Sequence, residues 1–268
     1  MKTLNKTDLK VSLIFTAIGI LAGVFLGLFQ IDTIKADPKQ MEIVLKQLPS
    51  LELLVVVSML QTGLYAFLCS FSGLKLARKV NLGSPMIESL FYKHEKKIPI
   101  IRSGIIASTV IGILSAVLIA FSDKFIFQNL MPQIKPSAGY VFSPVYFFGS
   151  VLYGGIIEEV IMRLFFISLI VFGLNKLFAN QGNNSIGTIL INWGAILLAA
   201  LLFAAGHLPA TGQLLGLSTI TIIRSFVLNG LAGIGFGWLY WRKGFEYAVI
   251  AHMLTHMVNQ LILMHILY

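Results

Sequence analysis

Two adjacent glutamates, Glu158 and Glu159, have side chains that can act as acids or bases. They lie in an apolar segment, where burying a charged side chain costs free energy. They interrupt an apolar stretch from Val141 to Phe178, in which Arg163 follows. Ionisable groups at the depth of a bilayer usually face a cavity or each other. On a helix, Glu159 and Arg163 share a face and can pair, whereas Glu158 lies about 100° round the helix axis. One carboxylate is therefore expected to be neutralised locally, and the other needs a partner on another helix. A purely structural ion pair would also account for the pattern.

Three histidines narrow the chemistry that these glutamates could perform. His207 ends an apolar run, and His252 and His256 lie four residues apart in the last apolar segment, so they project from one helix face. Asn259 continues that face one turn further on. Carboxylate and imidazole side chains suit a zinc ion that activates water, and a buried glutamate alone can act as a general base. The residues predict hydrolytic chemistry, and zinc and a metal-free mechanism both stay open.

Eight apolar segments must position these side chains. They cover residues 11–30, 51–74, 103–122, 141–157, 158–178, 186–206, 216–241 and 246–267. A helix needs about 20 residues to cross the hydrocarbon core of a bilayer. The fourth and fifth segments run together with Gly154 and Gly155 between them, so one long helix and two shorter ones are both possible. We therefore expect an all-α, polytopic membrane helix bundle with seven or eight transmembrane helices.

The composition independently indicates a membrane protein. Hydrophobic residues make up 57% of the chain and charged residues 12%, whereas ordinary globular domains carry roughly a quarter charged residues. Lipid must therefore cover surface that charged side chains would otherwise keep in water. The net charge of +9 does not indicate nucleic-acid binding, because the basic residues form short clusters between apolar runs. Anionic membrane lipid is the expected partner of such clusters.

The distribution of basic residues predicts the orientation of the chain in the membrane. The most basic connection is 75–102, whereas the polar stretch between the first two apolar segments is balanced in charge. Under the positive-inside rule, the N-terminus and the 75–102 loop are cytoplasmic, and residues 123–140 face outside. The size and the lysine-rich loops are compatible with a bacterial cell membrane. Asp123 and Glu246 fall at predicted helix ends, where a solvated role is sufficient.

Glycines at four-residue spacing predict close packing of helices. Gly19, Gly23 and Gly27 form one series, and Gly233 and Gly237 form another. Small residues at this spacing let the backbones of membrane helices approach each other. A dinucleotide-binding loop is excluded for the second series, because its glycines lie inside an apolar helix with no strand before them.

Three motifs taken together resemble those of the CPBP family, the CAAX protease and bacteriocin-processing (Abi) membrane proteases. Residues 158–163, with the sequence EEVIMR, match the EExxxR motif of that family, and residues 203–207, FAAGH, match its FxxxH motif. His252 begins the third motif, which in the family is HxxxN or HxxxD. The resemblance covers about residues 140–260, and the order, the spacing and the placement in apolar helices all agree.

The resemblance implies an intramembrane endopeptidase with a polar cavity inside its helix bundle. Glu158 would activate the water that attacks a peptide carbonyl, assisted by His207, and His252 with the last position of its motif would stabilise the oxyanion. Glu159 and Arg163 would orient the first glutamate. If zinc takes part, Glu158, His207 and His252 are its expected ligands. The substrate would be a membrane-associated peptide or protein.

One position departs from the family pattern, because His256 stands where the family commonly has Asn or Asp. A neutral histidine can donate a hydrogen bond to an oxyanion much as Asn does, and it also adds a metal ligand. The same change would equally fit a member that has lost catalysis. We expect one membrane domain overall, in which N-terminal helices with the basic loop, residues 1–102, precede a protease core, residues 103–268.

Two other classes of function compete with proteolysis. A non-catalytic membrane protein, such as a bacteriocin immunity factor or a partner-binding subunit, could use the same polar cluster to hold helices or a partner. A transporter could use buried glutamate and histidine as a proton relay. Transporters commonly place interrupted helices in matching halves, whereas here the intramembrane polar residues concentrate in the second half, so this function ranks last.

Overall fold

Helices are the only regular elements in the computed structural model, which describes residues 2–91, 100–131, 139–178 and 185–268. The first half contains α1 (Lys2–Ala36), α2 (Pro38–Gln47), α3 (Glu52–Lys79), α4 (Pro85–Ser89), α5 (Arg102–Ser122) and α6 (Gln128–Leu130). The second half contains α7 (Pro144–Gly149), α8 (Ser168–Leu177), α9 (Ser185–Gly206), α10 (Leu208–Leu215), α11 (Thr219–Arg242), α12 (Phe245–Val258) and α13 (Met264–Leu267). The prediction of an all-α membrane bundle is confirmed.

Six helices within the described ranges are long and apolar enough to cross a membrane. They are Lys6–Ala36, Glu52–Lys79, Arg102–Leu130, Ile186–Leu215, Thr219–Arg242 and Phe245–Leu267. The expected count of seven or eight is therefore not confirmed by these six. The expected and observed numbers of spans differ mainly at residues 141–178, where the sequence predicted the fourth and fifth apolar segments.

Those two segments form one helical run, which we call the site helix (residues 144–177). It consists of α7, two π-helical segments (Ser150–Glu158 and Val160–Ile167) joined at Glu159, and α8, and each part begins where the previous one ends. The glycine pair does not break the helix. A Cβ atom on Gly155 would lie 2.5 Å from Cγ of Met253 in α12, so the missing side chain lets α12 approach. π-helical turns occur preferentially at functional sites.

Close packing at the predicted glycines is confirmed. In the pairing of α1 with α3, a Cβ atom on Gly23 would lie 2.5 Å from the backbone oxygen of Ser58. In the pairing of α11 with α9, a Cβ atom on Gly237 would lie 2.9 Å from Cγ2 of Ile196. Gly23 faces backbone atoms, which cannot rotate away as a side chain can, whereas Gly237 faces side-chain atoms. The α1–α3 contact therefore tolerates a larger residue less well than the α11–α9 contact does.

One end of the bundle, which we call the basic face, is held by buried ion pairs and hydrogen bonds. Arg78 contacts Asp8 at 2.6 Å and Glu88 at 2.7 Å. Glu246 is 7% exposed and accepts a hydrogen bond of 2.9 Å from the backbone N–H of Ile87. The prediction of a solvated Glu246 is therefore wrong, because its carboxylate binds an N–H group in the first turn of α4 that has no helical partner. Residues 92–99 of the predicted basic loop lie outside the described residues.

The opposite end, which we call the opposite face, is held by a second ion pair. Asp123 begins a π-helical segment, Asp123–Phe127, that follows α5. Its two carboxylate oxygens accept hydrogen bonds of 2.7 Å and 2.6 Å from Nε and Nη2 of Arg224 in α11. The prediction of a solvated Asp123 is therefore incomplete, because the side chain is partly exposed but is also held by a bidentate partner from a distant helix.

The glycine contact between α1 and α3 gives a test of the packing. We expect Gly23→Ala to lower the free energy of unfolding by about 1–3 kcal/mol, the usual cost of overpacking. The matched control is Gly194→Ala in α9, where a Cβ atom would meet nothing within 4 Å. Alanine favours helix over glycine by up to ~1 kcal/mol, so this control should be neutral or stabilising. Thermal unfolding in detergent compares the two, and equal midpoints would contradict the close α1–α3 contact.

Candidate active site

Glu159 is the centre of a fully buried group that joins the site helix to α11 and α12. Its Oε1 lies 2.9 Å from Nη1 of Arg163, one turn along the same helix, and 2.8 Å from Nδ1 of His252. The exposed fractions of the Glu159 and Arg163 side chains are 0% and 1%. Arg163 also donates a hydrogen bond of 3.1 Å from Nη2 to the backbone oxygen of Gly233. The local pairing predicted from the four-residue spacing is confirmed.

Aromatic rings fix this buried group on its remaining sides. The guanidinium carbon of Arg163 lies 4.9 Å from the ring centre of Phe203 and 5.4 Å from that of Phe236. Phe236 also stacks on the imidazole of His252, with ring centres 4.5 Å apart and planes 21° apart. Cation–π contacts of this kind strengthen when the cation is removed from water. The orientation of His252 is therefore set by a carboxylate on its Nδ1 edge and by a ring on its face.

Glu158 faces a different partner, because the helix turns by about 100° between neighbouring residues. Its Oε1 lies 3.9 Å from Nε2 of His207, and the exposed fractions of the two side chains are 17% and 32%. Nδ1 of His207 lies 2.8 Å from the backbone oxygen of Phe203. Because a carbonyl oxygen only accepts, Nδ1 carries the proton in a neutral ring and Nε2 is left as an acceptor.

The Glu158–His207 pair thus presents two acceptors at a distance too long for a direct hydrogen bond. A distance of this kind is typical of two groups bridged by water. If a water oxygen lay about 2.8 Å from each of the two acceptors, the angle from one acceptor through the water to the other would be about 90°. This angle is not far from the angle between the two O–H bonds of water. Such a water would donate one hydrogen to each acceptor, and its lone pairs would be left free.

A cavity of about 180 Å³ brings the predicted site histidines and the first glutamate together. Its wall includes Glu158, His207, His252 and His256. The other residues of the wall are Leu26, Ile119, Gly149, Ser150, Tyr153, Gly154, Phe203, Asn229, Ala232, Phe236 and Thr255. Glu159 and Arg163 are not on this wall, since they lie behind His252. The predicted residues therefore form two layers, one that faces the cavity and one that supports it.

His256 occupies the cavity wall beside His252. The two imidazole rings stack with centres 5.0 Å apart and planes 20° apart. Nε2 of His256 is buried and has no hydrogen-bond partner among the described residues. An unpartnered buried polar atom on the wall of a cavity is costly unless water or a ligand binds it. His256 is thus able to donate to a group in the cavity.

The expected zinc ligands do not form a ready metal site in this arrangement. In the part of the chain that the structure describes, no three side chains of His, Cys, Asp or Glu are grouped to hold a metal ion. Glu158 and His207 face each other. Glu159 contacts Nδ1 of His252, which leaves Nε2 as the only nitrogen of this ring that could bind a metal ion. Zinc sites in enzymes use three protein ligands as a rule, so we derive no step through a metal.

Sequence reasoning missed several residues of the site. Asn229 and Tyr153 line the cavity, and Phe236 holds both Arg163 and His252. Asn229 had a detectable signal, since it is a lone amide inside the apolar segment 216–241. Phe236 and Tyr153 had none, because aromatic residues are common at every position of membrane helices. Asn259, which was expected on the face of His252, has a buried Oδ1 without a described partner.

A larger cavity of about 410 Å³ opens at the basic face and contains none of the motif residues. It is lined by Glu88, Tyr240, Trp241 and the turn around Lys243. Size alone does not identify a catalytic site, because hydrolysis needs an activating base and a donor for the oxyanion. Those groups converge only in the smaller cavity among the described residues.

Comparison with protein families supports the resemblance seen in the motifs. Residues 140–258 match the family model described as Type II CAAX prenyl endopeptidase Rce1-like. Neither the curated proteins nor the solved structures gave a match. The matched segment contains the site helix, α9, α11 and α12, and it carries the three motifs. This segment, which contains the first glutamate and the histidines that line the cavity, is therefore similar to the Rce1-like CAAX prenyl endopeptidases.

Proposed function

We propose that this protein is an intramembrane endopeptidase that hydrolyses a membrane-associated peptide or protein with a water activated by Glu158. The observation that carries the proposal is the pair of acceptors, Oε1 of Glu158 and Nε2 of His207, that face one another across 3.9 Å in a cavity. A water bound between them has its lone pairs free to attack a carbonyl carbon. Glu158 then accepts the proton that the water loses.

The reaction can be completed with the residues of the cavity wall. When the water oxygen bonds to the carbonyl carbon, the carbonyl oxygen becomes an oxyanion that needs a donor. A neutral His252 cannot supply one from Nε2, because its Nδ1 proton points at Glu159. His256 is the donor we assign, through its unpartnered Nε2. The proton held by Glu158 passes to the leaving amide nitrogen as the C–N bond breaks, which yields a carboxylate and an amine.

We assign a positioning role to the buried Glu159–Arg163 pair. Glu159 accepts the hydrogen bond from His252, and Arg163 balances the charge of Glu159. His252 in turn stacks on His256. Through His252 the pair therefore positions His256, the residue that we assign as hydrogen-bond donor to the oxyanion. The pair also fixes the helical turn that carries Glu158. Neither residue needs to touch the substrate.

Removal of the base is the most direct test. We expect Glu158→Gln to lower the rate of peptide cleavage by at least about 100-fold, because an amide keeps the size of the side chain but cannot accept the proton. Cleavage of a fluorogenic peptide library by purified protein in proteoliposomes measures the change. The matched control is Glu42→Gln, whose carboxylate is 69% exposed on α2 and should leave the rate unchanged. Undiminished cleavage in Glu158→Gln would falsify the assignment of Glu158 as the base.

The positioning role makes a different prediction for the neighbouring glutamate. We expect Glu159→Gln to lower kcat by about 10–100-fold with little change in KM, the usual size of effect for residues that orient a site residue. The thermal midpoint should be measured on the same sample. If Glu159 were only structural, the folded fraction would fall while kcat per folded molecule stayed constant, and that result would contradict the assignment.

Metal content decides between the two mechanisms that the sequence allows. Because no three candidate ligands are grouped to hold a metal ion in the described part of the chain, we expect purified wild-type protein to contain less than stoichiometric zinc. We also expect its activity to survive a chelator. Elemental analysis of wild type beside His207→Ala provides the measurement. One zinc per chain that is lost in His207→Ala would overturn the metal-free route and would make zinc-activated water the mechanism.

A further inference from the structure

Basic side chains are distributed unequally between the two ends of the bundle. At the basic face the described cationic side chains are Lys6, Lys10, Lys75, Arg78, Lys79, Arg102, Lys176, Arg242 and Lys243. At the opposite face they are Lys35, Lys46, Lys124 and Arg224. Contacts confirm the grouping, since Lys79 of α3 and Lys176 of α8 both lie 5.0 Å from the ring of Phe172. Lysine and arginine mark the cytoplasmic side of membrane proteins, so the basic face is the cytoplasmic one.

The cavity with the proposed catalytic groups extends from the middle of the bundle toward the opposite face. Gly149 on its wall is close to Pro144, where the site helix begins at the opposite face. His207 follows directly after the last residue of α9, which starts at the basic face and ends at the opposite one. Ile119 stands near the end of α5, just before Asp123. On the site helix, α9 and α5 the cavity wall therefore comes close to the opposite face, whereas on α11 and α12 it also reaches past the middle of the helix.

The border between this cavity and the opposite face is polar. Asp123 lies one turn beyond Ile119 on α5, and Arg224 lies just over one turn beyond Asn229 on α11. Their bidentate ion pair is partly exposed, with 16% of the Asp123 side chain and 21% of the Arg224 side chain accessible. Charged groups that keep contact with water at a helix end mark the water interface of the bundle. Water therefore reaches to within about one turn of the cavity from this side.

We propose that the substrate enters the site from the non-cytoplasmic side of the membrane. Its class is then a peptide already carried across the membrane, or the non-cytoplasmic segment of a membrane-anchored protein next to the bilayer. A C-terminus that is modified and retained in the cytoplasm would arrive at the wrong face. Cleavage of such a substrate rests on the proposed function, whereas the side from which the cavity is reached does not.

Cysteine labelling tests the side of access without any need for catalysis. The single native cysteine, Cys69, is first replaced in Cys69→Ser, which removes the background. Asn229→Cys then places a thiol on the cavity wall. Two matched leucines report the two faces, since Leu90 near the basic face is 62% exposed and Leu217 near the opposite face is 63% exposed. Each Leu→Cys variant is labelled with a small, membrane-impermeant methanethiosulfonate.

The labelling is done on sealed right-side-out vesicles and on sealed inverted vesicles. We expect Asn229→Cys and Leu217→Cys to react at least ten times faster in right-side-out vesicles, and Leu90→Cys to react faster in inverted ones. Modification of Asn229→Cys only from the side of Leu90→Cys would overturn the proposal. A failure of Asn229→Cys to react while Leu217→Cys reacts would also count against it, and Ile119→Cys, also on the cavity wall, repeats the test if Asn229→Cys does not fold.

The same labelling in a Glu158→Gln background separates this proposal from the proposed function. Access from the non-cytoplasmic side should be unchanged there, because the substitution keeps the size of the side chain. A protein that labels as expected but cleaves nothing would retain the assigned side and lose the protease. A protein that cleaves but labels from the cytoplasmic side would retain the protease and lose the assigned side.

Discussion

The buried ion pair of Glu159 and Arg163 is the constraint around which the second half of the chain is built. A charge without water is tolerated only when it is paired and its remaining hydrogen-bonding groups are satisfied. His252 on α12 and the backbone of Gly233 on α11 meet part of this requirement. Oε2 of Glu159 stays buried without a hydrogen-bond partner among the described residues. Three helical elements must therefore meet at one depth in the bilayer. The three motifs converge as a consequence, because each supplies a part of this group or a ring that covers it.

Adjacent position in the sequence gives the two glutamates opposite environments. The turn of the helix directs Glu159 into the closed interior and Glu158 toward the cavity. Neutralisation by Arg163 holds the first charge in place, so its carboxylate is not available to water. Glu158 has only the more distant Nε2 of His207 as a partner, and a carboxylate with weak protein contacts and access to a cavity is free to bind and deprotonate water. One local ion pair thus separates a buried carboxylate from a second carboxylate that faces the cavity.

The sequence was sufficient for interactions between near neighbours and insufficient for those between distant ones. The pairing of Glu159 with Arg163 and the packing of Gly23 follow from helical geometry alone, and both are confirmed. The partners of Asp123 and Glu246 could not be predicted, because each lies on a helix more than a hundred residues away. At Gly154 and Gly155 the sequence allows one long helix or two shorter ones. It does not reveal the contact of Gly155 with Met253 on α12, for which the missing side chain leaves room in an unbroken helix.

The structure bears on the unusual His256 through Gly154, which faces it. A Cβ atom at Gly154 would collide with Nε2 of His256, so an imidazole fits at this place only because residue 154 has no side chain. If His256 were a remnant of a lost site, nothing would require this room to coincide with the cavity wall. Instead the ring stacks on His252 and presents an unpartnered nitrogen on that wall. Gly154 therefore makes room for the histidine on the cavity wall, where the role that we propose for His256 requires it.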